Sequence, residues 1–247
     1  MRLRALAVFL FVAAPAATAQ DEPPPRWAGE ASAGVIVTSG NSETSTLNGK
    51  GEVVYNSESE LWRNTLTASA IKAEQTDAAT GVETKTAERY LLGNKTDFNF
   101  TERDYAFLAL EFEKDLVGPV RERASETAGY GRKILTGPRH TLEAELGAGA
   151  RQTEEQGTAE EHDDAIGRGR VAYKWAFSDT SYFTETAKVE SGESNTFGES
   201  VSELRVSLVG KLFALTSYTV RRNTDVPPGT RKTDTITAIS LGWTFGN

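Results

Sequence analysis

From Trp27 onward, apolar and polar residues alternate with a period of two, and no long segment carries the 3.6-residue stripe of an amphipathic helix. About twelve strand-like segments follow from this pattern, separated by turn signals. Their cores lie near 27–39, 43–55, 61–73, 87–100, 104–115, 125–135, 140–152, 165–177, 181–190, 199–209, 212–222 and 232–245. The second shows the pattern well: Leu47, Gly49, Gly51, Val53 and Tyr55 share one face, and Thr46, Asn48, Lys50 and Glu52 the other. In the third, Trp62, Leu66, Ala68 and Ala70 oppose Arg63, Thr65, Thr67 and Ser69. In the seventh, Leu142, Ala144, Leu146, Ala148 and Ala150 oppose Glu143, Glu145 and Arg151. In the eighth, Val171, Tyr173, Trp175 and Phe177 oppose Arg168, Arg170 and Lys174. The ninth and eleventh segments have no readable phase.

Alternation alone does not separate a soluble sandwich from a membrane barrel. In the first the apolar face is the core; in the second it meets lipid and the polar face lines a lumen. Three further features favour the barrel. With the N-terminus on the periplasmic side, the turns on that side are short, near 56–60, 101–103, 136–139, 178–180 and 210–211. The outer connections read as longer, near 74–86, 116–124, 153–164, 191–198 and 223–231, apart from the short Gly40-Asn41-Ser42 turn. Aromatics cluster beside the short turns and read as an interfacial girdle: Tyr55, Trp62, Phe98, Phe100, Tyr105, Phe107, Trp175, Phe177, Tyr182, Phe183, Phe213, Trp243 and Phe245. The chain closes on Ile239-Ser240-Leu241-Gly242-Trp243-Thr244-Phe245, which resembles the C-terminal signal of outer-membrane barrels, although Gly246 and Asn247 follow the last aromatic. The expected fold is therefore all-β: a closed antiparallel transmembrane β-barrel of about twelve strands. An even number lets the first and last strands pair, which removes the sheet edges.

The start of the chain places this barrel outside the cytoplasm. Met1-Arg2-Leu3-Arg4 is a basic n-region, an apolar run extends from Ala5 to Ala14, and Ala17-Thr18-Ala19 fits a cleavage site. Residues 1–19 thus read as a signal peptide, 20–26 as a proline-rich periplasmic leader, and 27–247 as the barrel. There is no cysteine, so no disulfide contributes rigidity and a closed ladder must supply it. Mean hydropathy is −0.43 and the formal net charge is −8, the second of which argues against a nucleic-acid partner. The expected surroundings are outer-membrane lipid and lipopolysaccharide, with the barrel assembly machinery as partner during biogenesis and a monomer as the final state.

Several short motifs carry a resemblance to a known family. They are Gly40-Asn41-Ser42, Thr86-Ala87-Glu88-Arg89-Tyr90, Gly137-Pro138-Arg139-His140-Thr141-Leu142, Ser217-Tyr218-Thr219-Val220-Arg221, and Pro227-Pro228-Gly229-Thr230-Arg231-Lys232-Thr233-Asp234-Thr235. In order and spacing, over nearly all of the chain after the signal, it resembles the YdiY-type family of salt-induced outer-membrane proteins. The resemblance implies an outer-membrane location and a link to salt or osmotic stress. It supplies no catalytic residues, because the molecular function of the family is unknown.

The residues expected to line the lumen are Lys50, Glu52, Arg63, Arg89, Lys95, Asp97, Glu111, Glu113, Arg132, Glu143, Glu145, Arg151, Arg168, Arg170, Lys174, Glu203 and Arg205. They would either select solutes in a polar pore or pair with one another and fill the interior. Glu143 and Glu145 are expected to face Arg168 and Arg170. Between 153 and 164, Glu154, Glu155, Glu160, Glu161, Asp163 and Asp164 form an acidic run with His162; a solvated loop is the first reading and weak binding of a hard cation the second. No cofactor and no catalytic set is expected, since His140 and His162 have no readable nucleophile beside them. Three functions stay open. The first is a non-enzymatic barrel supporting the envelope under salt or osmotic stress. The second is a narrow diffusion channel for small solutes, and the third is a lipid-acting enzyme.

Overall fold

The computed structural model describes residues 25–38, 42–77, 80–157 and 160–246. The signal segment 1–19, most of the leader and the Gly40-Asn41 turn lie outside the described residues. Twelve strands run in chain order: β1 Trp27–Thr38, β2 Ser42–Asn56, β3 Trp62–Asp77, β4 Glu83–Asn99, β5 Asp104–Asp115, β6 Val120–Thr136, β7 His140–Glu155, β8 Glu161–Ala176, β9 Tyr182–Ser191, β10 Thr196–Val209, β11 Leu212–Asn223 and β12 Thr233–Gly246. Each pairs antiparallel with its neighbours in sequence, and β1 pairs with β12 from Ala28↔Gly246 to Ala33↔Leu241, so the sheet closes without an edge. We call the end where β1 begins and β12 finishes the proximal end, and the other the distal end.

The register decides which way each side chain faces, because a period of two sends alternate residues to opposite sides. The outward face is apolar and exposed, with Leu47, Leu66, Leu92, Leu110, Leu146, Val171, Leu204, Ile239 and Leu241 among its members. A continuous apolar exterior of this kind is built for lipid rather than water. All four tryptophans, Trp27, Trp62, Trp175 and Trp243, stand outward near the proximal end. Two meet cross-strand aromatics, Trp27 with Tyr55 at 4.7 Å between centroids and Trp62 with Phe98 at 4.8 Å. At the distal end the outward face turns ionic, with Lys72–Glu74 at 2.8 Å, Lys85–Glu88 at 2.7 Å and Lys114–Glu122 at 2.6 Å. Trp62 and Lys72 bound the apolar band on β3; ten residues at ~3.3 Å each, tilted as barrel strands are, give a height of about 25 Å.

Two expectations need correction here. The long outer connections are mostly strand: β3 and β4 are joined by 78–82, β5 and β6 by 116–119, β7 and β8 by 156–160, and β9 and β10 by 192–195. Polar side chains do not prevent a backbone ladder from continuing into water, so the hairpins project beyond the apolar band. The girdle is also smaller than expected. Tyr105, Phe107, Tyr182 and Phe213 point inward, and three of them are almost wholly buried. Tyr105 and Phe213 fit because each lies across the ladder from a glycine. A Cβ at Gly131 would sit 2.2 Å from the Tyr105 ring, and one at Gly242 would sit 2.3 Å from the Phe213 ring.

Candidate functional site in the barrel lumen

Every lumen residue expected from the sequence points inward except Arg132. Arg132 lies opposite Asp104 on the outward face of β6, 3.1 Å from its carboxylate, beside Tyr130, whose hydroxyl donates to the same Asp104. The inward residues of β6 are Arg123, Ser125, Thr127, Gly129 and Gly131, which places the even-numbered Arg132 outside.

The inward residues of β5 to β9 form a dense ionic wall. Glu145 on β7 is its proximal hub. Its side chain has no exposed surface, and it receives Lys95 at 2.7 Å, Arg168 at 3.2 Å, Arg170 at 3.3 Å and the Tyr105 hydroxyl at 2.9 Å. A carboxylate can accept about four such donors, so burial leaves its charge answered on every side. Farther along, Lys188 donates to Glu111, and Arg151 meets Asp164 at 2.9 Å and the Asn195 carbonyl at 2.6 Å.

At the distal end Arg221 on β11 reaches Glu113 on β5, with Nη2 at 2.6 Å from Oε1, and Glu199 at 3.0 Å. β5 and β11 are six strands apart in a ring of twelve, so the Arg221–Glu113 contact crosses the full width of the lumen. Phe197, 1% exposed, is the apolar centre of this distal knot. The Arg123 guanidinium stacks on its ring at 3.8 Å, while Arg221 stands at 5.0 Å.

Sequence reading missed Glu30, Arg123, Lys188, Glu190, Glu199 and Arg221 as lumen residues. Lys188, Glu190 and Arg221 sit in the two strands without readable phase. Arg123 lies before the start of its segment, Glu199 opens its own, and Glu30 stands among the Gly, Ala and Ser of β1, whose small side chains blur the alternation.

The opposite wall differs. From β12 through β3 the inward face offers Ser240, Ala238, Ser32, Asn48, Thr65, Thr67 and Ser69. These short side chains leave space: they form one side of a cavity of about 580 Å³ that residues of β4, β5 and β7 to β11 also border. Its lining extends from Glu30 and Tyr182 near the proximal end to Arg89 and Glu199 near the distal knot. Lys50 crosses it to Glu203 at 2.6 Å. Around the proximal mouth Lys174 stands 3.9 Å over the Tyr182 ring, and Arg205 meets Glu30 at 3.4 Å.

The acidic run does not form one loop. Glu154 ends on the outward face, 3.3 Å from Arg121, and Asp164 turns inward to Arg151. Glu155, Glu160 and His162 do gather at the β7–β8 turn, with ligand atoms within 4.8 Å of one another. Both histidines have defined neighbours: His140 Nδ1 is 2.8 Å from the Tyr173 hydroxyl, in the outward girdle, and His162 Nε2 is 3.7 Å from Glu155.

Comparison with known proteins adds a family to this geometry. Residues 31–245 match the family described as "Protein of unknown function, DUF481". The chain belongs to that family. A curated relative, "Uncharacterized protein YdiY" of Escherichia coli (strain K12), is 30% identical over 218 residues, covering 88% of this chain and 82% of the relative. Among solved structures, the COG4313 outer membrane channel from Pseudomonas putida F1 superposes with a TM-score of 0.51 at 8% identity, over 94% of this chain and 100% of that one. The translocator domain of the autotransporter NalP from Neisseria meningitidis gives 0.49 at 11% identity, over 92% and 90%. The fold is that of a transmembrane β-barrel of the outer-membrane kind.

Proposed function

We propose that this DUF481 protein resides in the bacterial outer membrane, proximal end toward the periplasm, and passes small hydrophilic solutes along the β12–β3 wall of its lumen. The cavity of about 580 Å³ that this wall borders is the observation that carries the reading. A single water needs only about 10–15 Å³, so this is room for hydrated ions and small polar molecules. Hydroxyl groups and charged side chains line it and replace part of a solute's hydration, as a polar conduit requires. The long side chains of the ionic wall keep it far narrower than an open porin.

Recording the purified, refolded protein in planar bilayers tests this. The expected result is discrete steps well below those of open porins; a membrane that stays silent with inserted protein would remove the passage.

The Arg221–Glu113 contact favours a second reading, in which the distal knot keeps the barrel shut and the protein supports the envelope under salt stress. On that reading a deletion strain fails at high osmolarity and the purified barrel is silent.

A further inference from the structure

The lining of the cavity is not balanced between the two signs of charge. Eight Lys and Arg side chains border it, against six Glu. Four of the six carboxylates are already held: Glu30 by Arg205, Glu111 by Lys188, Glu199 by Arg221 and Glu203 by Lys50. Among the described residues, the cations Arg63, Arg89 and Lys174 make no ion pair within 4.0 Å, whereas Lys50, Lys95, Arg168, Arg170 and Lys188 do.

The guanidinium groups show the excess most sharply. Among the described residues six arginines carry a buried nitrogen without an acceptor, and of these only Arg63, through Nε, and Arg89, through Nη1, both border the cavity and lack an ion pair. Such a donor is costly to keep unless something in the lumen answers it. Their placement adds direction. Arg63 lies opposite Asp97, and Arg89 opposite Ile71, on the paired strands β3 and β4. That separates them by eight residues along the ladder, about 27 Å at strand rise. Arg63 therefore stands at the proximal end of the cavity, with Lys174 on its β8 side, and Arg89 at the distal end, next to the Arg221–Glu113 contact.

We propose that the passage is anion-selective, taking small carboxylate- or phosphate-bearing solutes, with Arg63 and Arg89 as the binding groups at its two ends. The proposal rests on the passage itself. A guanidinium presents a planar fork of N–H donors that matches a carboxylate or phosphate edge, so each end replaces hydration water with directed hydrogen bonds. Transit is a hand-over from one cation to the other between walls of Ser and Thr. The cation sites are far enough apart that a bound anion is not trapped by both at once.

The test is the reversal potential of the refolded protein in a bilayer with asymmetric KCl, followed by block with succinate and inorganic phosphate. The expected sign is that of chloride permeation. In Arg63→Gln/Arg89→Gln the chloride-to-potassium permeability ratio is expected to fall at least about twofold, with weaker block by both anions. Arg63→Lys/Arg89→Lys keeps the charge and is expected to retain the selectivity while losing affinity for the blockers, because the fork is gone. Should the Gln variant fail to show the heat-modifiable mobility of a folded barrel, Lys174→Gln provides the same readout at the proximal mouth. A conducting wild-type barrel that prefers potassium, or a Gln variant with unaltered selectivity, overturns the anion assignment and leaves the passage standing. A barrel without conductance removes both.

Discussion

Two walls of one lumen, built on the same ladder geometry, behave as different materials. From β5 to β9 the inward side chains are long and charged, and nearly all are buried: Glu113, Arg123, Glu145, Arg151, Asp164, Arg168, Lys188 and Glu190 are each under 9% exposed. From β12 through β3 they are mostly Ser, Thr, Ala and Asn, and they form the short-side-chain side of the cavity, which Glu111, Arg168 and Lys188 of the charged wall border from across the lumen. Charge content and openness run opposite to naive expectation. A charged wall is not a wet wall, because long side chains of both signs reach one another and exclude water. The short side chains of the wall with fewer charges are what leave room beside them.

Removing the hub of the ionic wall is the largest break in this contrast. Glu145→Leu leaves Lys95, Arg168, Arg170 and the Tyr105 hydroxyl without their common acceptor. A loss of about 3–5 kcal/mol is expected, read as a lowered urea midpoint of the barrel in detergent or lipid. Filling the open wall should act on conduction instead. Ser69→Trp puts an indole into the cavity, and single-channel conductance is expected to fall about threefold while the folded gel mobility persists. The smallest effect is expected outside both walls. Arg132→Ala removes an exposed partner of Asp104, so the urea midpoint and the ion selectivity should both stay where they were.

Much of this was written in the alternation of the chain. Strands such as β2, β3, β7 and β8 expose their phase because Leu47, Leu66, Leu146 and Val171 face out where Lys50, Arg63, Glu145 and Arg170 face in. Closure followed from an even strand count. What stayed hidden depends on contacts across the barrel rather than along a strand. β9 mixes outward Glu185 with inward Lys188 and Glu190, and the Ser200 and Ser202 hydroxyls on β10 satisfy Glu185 on the outer face. No local pattern reports such a partner. The inward aromatics hid for a similar reason: Tyr105 and Phe213 stand near turns, as girdle residues do. Their signal was the glycine directly across the ladder, legible only once the register is known. Arg221–Glu113 spans 108 positions in sequence, so the distal knot had no local signature at all. The distal hairpins carry no alternation because their side chains are mostly polar, as in Glu74-Gln75-Thr76-Asp77 and Glu83-Thr84-Lys85-Thr86, while the backbone ladder continues.

The absence of cysteine permits a direct comparison of the two walls by labelling. Single substitutions Ser69→Cys, on β3 beside the cavity, and Thr127→Cys, 2% exposed on the ionic wall, would be treated with a membrane-impermeant charged thiol reagent in liposomes. An open β12–β3 side predicts rapid modification at 69 and protection at 127 until the protein is unfolded. Equal rates at the two positions, or modification at 127 alone, would contradict it.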